Sequence, residues 1–266
     1  MNTVSDISQL LTIMRYEILK VTRGRKLYIM LAIIAIIAAA VIIVPPAAGE
    51  TYPDKEGLID FMVTFVEIII ILLVTLFGAD SIVYDFEKGT AFVLYPNPVR
   101  RRTIFIGKFL SSTLVSILLL VFYYVIMVLV DIGINGGVPG RTVYSLGVAI
   151  VYMVTLMAIT MLISTSMKST LASSVIVFAM FFLIFPMVNA IMTIVGQAPW
   201  FIITSMETVM ADVLVHPYPQ TSLLDMGTIK ILNYHPSVTT GFIVMAAYAI
   251  PALALAYRMF MKKELQ

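Results

Sequence analysis

The chain of 266 residues has no cysteine. That excludes disulfide staples, thiolate metal ligands and thiol nucleophiles, although it assigns no compartment. Charge is nearly as scarce. Asp, Glu, Lys and Arg make up 12% of the residues, where a soluble domain carries about a quarter. Such a chain cannot clothe a water-facing surface. With 61% apolar residues and a mean hydropathy of +1.02, lipid must be part of its solvent. A net charge of +2 makes no case for nucleic acid. The two histidines, His216 and His235, each precede a proline and read as loop residues. No nucleotide-binding G-x-x-x-x-G-K-[ST] run occurs, since Gly107-Lys108 lacks the leading glycine and continues into Phe109. H-E-x-x-H and G-x-S-x-G are absent too. The 18 methionines lie mostly in apolar runs, where methionine is ordinary filler. No catalytic residue, metal site or cofactor is expected in this chain.

What the chain does have is long apolar runs. A transmembrane helix needs about 20 mostly apolar residues. Residues 27–44, 58–79, 109–130, 142–163, 171–195 and 237–257 each meet that need. The expectation is an all-α integral membrane protein, with residues 1–266 forming one six-span transmembrane domain. Basic residues set its orientation, because short cytoplasmic flanks collect Lys and Arg. Fourteen of the 17 lie at the two ends, in residues 80–108 and at Lys168, leaving Lys55, Arg141 and Lys230 for the other side. Both termini are therefore expected in the cytoplasm. The start has basic residues, an apolar run and then Pro45-Pro46, like a signal peptide, but its basic part is long and five spans follow. It reads as a retained signal anchor.

Residues 80–108, DSIVYDFEKGTAFVLYPNPVRRRTIFIGK, form a polar loop between two apolar runs. Asp85 to Tyr95 can make a short helix that Pro96-Asn97-Pro98 must stop. Phe86, Phe92, Val93 and Tyr95 give it an apolar side, which in a loop points to a protein contact. Packing on this protein's own helix ends is the alternative. Gly89 is either a helix break or a close-approach site. The ordered pattern of Asp85 and Glu87, Gly89-Thr90, Leu94, Pro98, Arg100–Arg102 and Gly107-Lys108 resembles the first cytoplasmic loop of ABC-2 type transporter permeases.

That resemblance implies a coupling helix docking on a separate ABC ATPase, which would hold the ATP and magnesium. Asp85, Phe86, Glu87, Gly89, Thr90, Phe92, Leu94, Tyr95, Pro98 and Arg100 would lie at or behind the contact. Two six-span halves are needed, so a homodimer in the plasma membrane, working as an exporter, is expected. A self-contained six-span channel or secondary transporter is the competing reading.

Residues 5–22 show a helical apolar period, with Leu10, Ile13, Met14, Ile18 and Val21 on one stripe and Arg15, Glu17 and Lys20 placed elsewhere. This reads as an amphipathic helix in the cytoplasmic interface, broken from the first span at Gly24. An N-terminal extension of the first span is the alternative. Residues 196–236 carry four prolines and are too interrupted to span. Phe201–Val215 keeps a helical rhythm and reads as lying flat on or dipping into the outer leaflet, and the ABC-2 resemblance implies short re-entrant helices there that cap the outer side.

Inside the spans, Glu67 is the one formal charge near the middle of an apolar run. An intramembrane carboxylate costs roughly 2.5 kcal/mol or more on insertion scales, so it must face protein or water. Thr64, Glu67, Ile71 and Thr75 step by three, four and four, which aligns three polar groups on one face. Asn189 and Thr193 lie one turn apart beside Pro186. Glu67, Thr64, Thr75 and Asn189 are the pathway candidates, and interhelical glue is the alternative role.

Overall fold

The computed structural model describes residues 6–49, 51–89, 100–225 and 230–263. Among these, six helices are long and apolar enough to cross a membrane: Arg25–Ala47, Glu56–Glu87, Arg101–Asn135, Thr142–Ser166, Thr170–Ile194 and Val238–Lys262, here spans 1 to 6. The protein is an all-α integral membrane protein. A separate helix, Asp6–Thr22, precedes span 1, and Gly24 in extended conformation parts the two.

Two helices outrun their apolar cores. Span 2 continues to Glu87 and span 3 already begins at Arg101. Hydropathy marks what lipid can touch, whereas the backbone ladder continues wherever packing shelters it. Ser81, Ile82, Val83, Asp85, Thr103, Ile104 and Phe105 are all buried in these extensions. Much of the sequence's polar loop is therefore helix. Its described part ends at Glu87, and Gly89 follows at φ +70, a left-handed backbone that stops a helix at low cost only for glycine. Gly89 is thus a helix break.

Span 2 is not a continuous rod. It comprises Lys55–Val63, Val66–Leu73, a π-turn at Val74–Gly78 and Val83–Glu87. The polar stripe expected of Thr64, Glu67 and Thr75 needs an unbroken helix, and the breaks dismantle it. Thr64 is exposed and its hydroxyl donates to Phe61 O at 2.6 Å. Thr75 is buried in the π-turn. A second π-turn, Met180–Ile184, precedes Pro186 in span 5. A proline there cannot donate to the carbonyl four residues earlier, so the ladder loosens at that point.

Spans 2 and 4 make the centre of the core. In each, 61% of the most apolar stretch is buried, against 11% in span 5, which leaves span 5 the most open to surroundings. Buried hydroxyls pin the layers. Tyr123 of span 3 donates to Met62 O of span 2 at 2.9 Å, and Ser145 of span 4 donates to Met210 O at 2.7 Å. Met210 belongs to the cap between spans 5 and 6. This cap holds a 3₁₀ turn at Ile203–Glu207, a short helix at Thr208–Asp212 and an antiparallel hairpin pairing Ser222–Asp225 with Lys230–Asn233. The short helices match the sequence expectation. The hairpin does not, since strands of four residues carry too little period-two signal to read.

Candidate coupling site

On the face where the Asp6–Thr22 helix meets the start of span 3, the extended foot of span 2 joins them around one lysine. Lys108 is 2% exposed, and its ammonium contacts Glu17 Oε1 at 2.5 Å and Asp85 Oδ2 at 2.8 Å. A buried cation stays charged only if its partners replace the lost water. Here two carboxylates do so from two different elements. Glu17 therefore does not lie off the apolar stripe, as the helical reading placed it. It stands three residues after Met14 and four after Ile13, on the same inward face, where only a buried partner makes a charge tolerable.

The neighbouring glycine explains how the helix comes so close. A Cβ on Gly107 would stand 2.7 Å from Ile13 Cγ2. Only a residue without a side chain lets the Asp6–Thr22 helix press its Ile13 against span 3. Gly107-Lys108 is thus a packing and clamping pair.

Further bonds tie the surroundings. Lys26 at the start of span 1 pairs with Asp80 and donates to Leu76 O at 2.9 Å, a carbonyl within the π-turn of span 2. Lys20 lies 4.0 Å over the Tyr84 ring. Lys263, just past span 6, donates to Thr165 O at 2.9 Å and Met167 O at 3.2 Å, capping the end of span 4, and lies 4.3 Å from the Phe86 ring. Burial pushes the Lys263 ammonium down from the ordinary lysine value. Arg101 donates to Met261 O and Lys263 O, both at 3.2 Å.

The predicted contact residues thus divide. Asp85 turns inward to Lys108, and Phe86 packs beside Ile82, Phe105 and Phe260. Glu87 and Lys88 are exposed at the helix end, although Glu87 also accepts from Thr170 N at 2.5 Å and so caps span 5. Arg100 is exposed at the start of span 3. Thr90, Phe92, Leu94, Tyr95 and Pro98 lie outside the described residues.

A second polar locus lies between span 2 and the cap. Glu67 is half-buried on span 2, and Glu207, half-buried at the end of the 3₁₀ turn, has its Oε2 buried without a partner among the described residues. Burial, with Glu67 alongside, holds the Glu207 carboxyl well above the usual carboxylate range. Asn189 is half-buried on span 5, and its Oδ1 finds no partner among the described residues. Farther along the cap, Asp212 and His235 Nδ1 meet at 2.8 Å, an arrangement that two isolated histidines in the sequence did not announce. Burial raises the Asp212 carboxyl, and the His235 contact opposes that rise.

A family model described as ABC-2 family transporter protein matches residues 11–265, nearly the whole chain and both loci just described. The chain belongs to the ABC-2 transporter family. No curated protein matches it. As an ABC-2 type permease, it is the multi-pass transmembrane component of an ABC transporter. The Lys108 clamp then sits at the connection between spans 2 and 3, where the sequence resemblance places coupling.

Proposed function

We propose that this permease is one half of a homodimeric exporter driven by a separate ABC ATPase, which binds the ATP and magnesium. Both termini and the connection between spans 2 and 3 face the cytoplasm, and the membrane is the plasma membrane. The observation that carries the reading is the Asp85–Lys108–Glu17 cluster. An ATPase pushing on residues 88–100 would act on a segment whose base is bolted by charge to span 3 and to the Asp6–Thr22 helix. Motion there would reach three elements at once and would not dissipate in a loose loop. The exposed end at Glu87, Lys88 and Arg100 supports an accessible docking face, and the fourteen-to-three bias of basic residues supports the orientation. Asp85 and Phe86 support the contact from behind, as positioning residues.

Co-expression with the ABC ATPase subunit and affinity purification tests the assembly. Phe92→Asp and Tyr95→Asp are expected to insert in the membrane but lose the ATPase. Retention of the ATPase at wild-type level by both variants would sink the reading.

A further inference from the structure

The Asp6–Thr22 helix, the start of span 1, the foot of span 2 and span 3 enclose a half-open cavity of about 330 Å³ beside the Lys108 cluster. Gly24, Arg25 and Lys26 line it, so the N-terminus of span 1 opens into it. That end is the positive pole of a 23-residue helix, with no side-chain cap and no acidic residue in its first turn. Across the cavity stands Ser112 of span 3, only 7% exposed, whose hydroxyl has no partner among the described residues. A buried hydroxyl left without a bond is costly, and a ligand in the cavity would complete it.

Charges of both signs are only partly engaged around this space. Arg25 is exposed and forms no ion pair among the described residues. Lys20 stands 3.9 Å from Glu17 Oε2, beyond hydrogen-bond reach. On the acidic side, Asp80 meets Lys26 through Oδ2 alone, and Glu17 meets Lys108 through Oε1. A ligand of one sign would match one set and be repelled by the other, whereas a zwitterion matches both. The surroundings favour a lipid as its source. Arg25, Ile29, Ala32 and Ile36 follow one another along a single stripe of span 1, with Ile29 50% and Ile36 67% exposed. An apolar rail therefore begins where the charged cavity ends.

We propose that this cavity binds a phospholipid whose headgroup carries a primary amine. The phosphate sits at the N-terminus of span 1, on Arg25, Lys20 and the Ser112 hydroxyl. The ammonium turns to the open oxygens of Asp80 and Glu17, and the acyl chains lie along the exposed stripe of span 1. Selectivity follows from the donors. Ethanolamine offers three N–H groups to the carboxylates, choline offers none, and a glycerol headgroup brings no positive charge. The inference uses only this chain in its bilayer, and neither the ATPase assembly nor the orientation enters it.

Native mass spectrometry of the full, delipidated chain in detergent tests it, with phosphatidylethanolamine, phosphatidylcholine and phosphatidylglycerol of identical acyl chains titrated one at a time. The expected result is one phosphatidylethanolamine per chain, held about tenfold or more tighter than either of the others, the worth of one hydrogen bond to a charge. Arg25→Gln and Ser112→Ala should each weaken it by about tenfold. Arg25 is exposed and unpaired, so its replacement should leave the lipid-free melting temperature unchanged. Arg15→Gln, on an exposed side chain outside the cavity, should leave binding at the wild-type level. Asp80→Asn should erase the preference over phosphatidylglycerol. All these variants keep the Asp85–Lys108–Glu17 cluster, so a failure here is distinct from a failure of the coupling reading. Equal affinity for the three lipids, wild-type binding by both Arg25→Gln and Ser112→Ala, or a full preference kept by Asp80→Asn would overturn the proposal. Soluble phosphoethanolamine and inorganic phosphate carry the same chemistry without a tail, and displacement of the lipid by either at equal concentration would overturn the lipid as ligand.

Discussion

Replacing Lys108 with Met keeps much of the side-chain bulk and removes the charge, so it isolates the electrostatic clamp. Lys108 is 2% exposed and serves two carboxylates, of which the Glu17 side chain is 20% exposed and Asp85 7%. Stranding one partner of a buried pair costs about 3–5 kcal/mol. Glu17 can turn toward water, whereas Asp85 cannot, so the loss should sit near the lower end, about 3 kcal/mol. That corresponds to a fall of roughly 6–12 °C in melting temperature for a chain of this size. Asp85→Asn should cost less, about 1–2 kcal/mol, because Lys108 keeps Glu17 and the amide oxygen still accepts.

Two measurements on the detergent-purified protein check this. Thermal unfolding gives the melting temperatures of both single variants and of Asp85→Asn with Lys108→Met. The double variant must cost clearly less than the sum, since removing Lys108 already ends the Asp85 interaction. Limited trypsin digestion then reads the local effect. Arg15, Lys20, Arg23 and Arg25 are exposed on or beside the first helix, but cleavage needs the helix to come away from span 3. A loss of about 3 kcal/mol should speed cleavage roughly a hundredfold when opening is fast relative to cutting. Wild-type melting and wild-type digestion in Lys108→Met would refute the clamp, as would strict additivity in the double variant.

Other expectations follow from single contacts. Gly107→Ala places a methyl 2.7 Å from the stiff Ile13 side chain, so it should loosen the first helix to trypsin, and adding Ile13→Ala should restore protection; no rescue would refute the close-approach argument. Glu87→Gln weakens the cap on Thr170 N–H and should cost about 1 kcal/mol or less, seen as faster hydrogen exchange at the start of span 5. Asp212→Asn should loosen the cap near His235 and raise exchange in the Lys230–Asn233 strand, with no effect on trypsin cleavage at the opposite face. Cysteines introduced at Lys55, Gly137 and Gln220 should react with impermeant thiol reagents from outside the cell, and those at Ser5, Asn97 and Gln266 should not. Labelling at Asn97 would reverse the orientation.

Six spans could be read from the chain because each apolar run is long enough to cross lipid, and composition alone carries that signal. Where each helix ends could not be read the same way. Apolar length stops at Ala79, but the helix goes on to Glu87 because Asp85 has a buried cation to meet. The pattern at Gly107-Lys108 stood out in the sequence, yet its meaning needed Ile13 and Glu17, which lie more than ninety positions earlier. Glu17 was misplaced on the first helix because a charge is assigned to the wet face by default. Only its partner on span 3 makes the dry face tolerable.

The same logic separates what Glu67 disclosed from what it withheld. Its cost in an apolar run is local, so the sequence marks it as a residue that must have a polar neighbour. The neighbour is not local. Glu207 sits 140 positions later in a proline-interrupted segment, where it counts as one more acidic residue on a wet surface. Its burial becomes visible only when the 3₁₀ turn is seen packed against spans 4, 5 and 6. An intramembrane charge therefore predicts that a partner exists, and the fold alone says which.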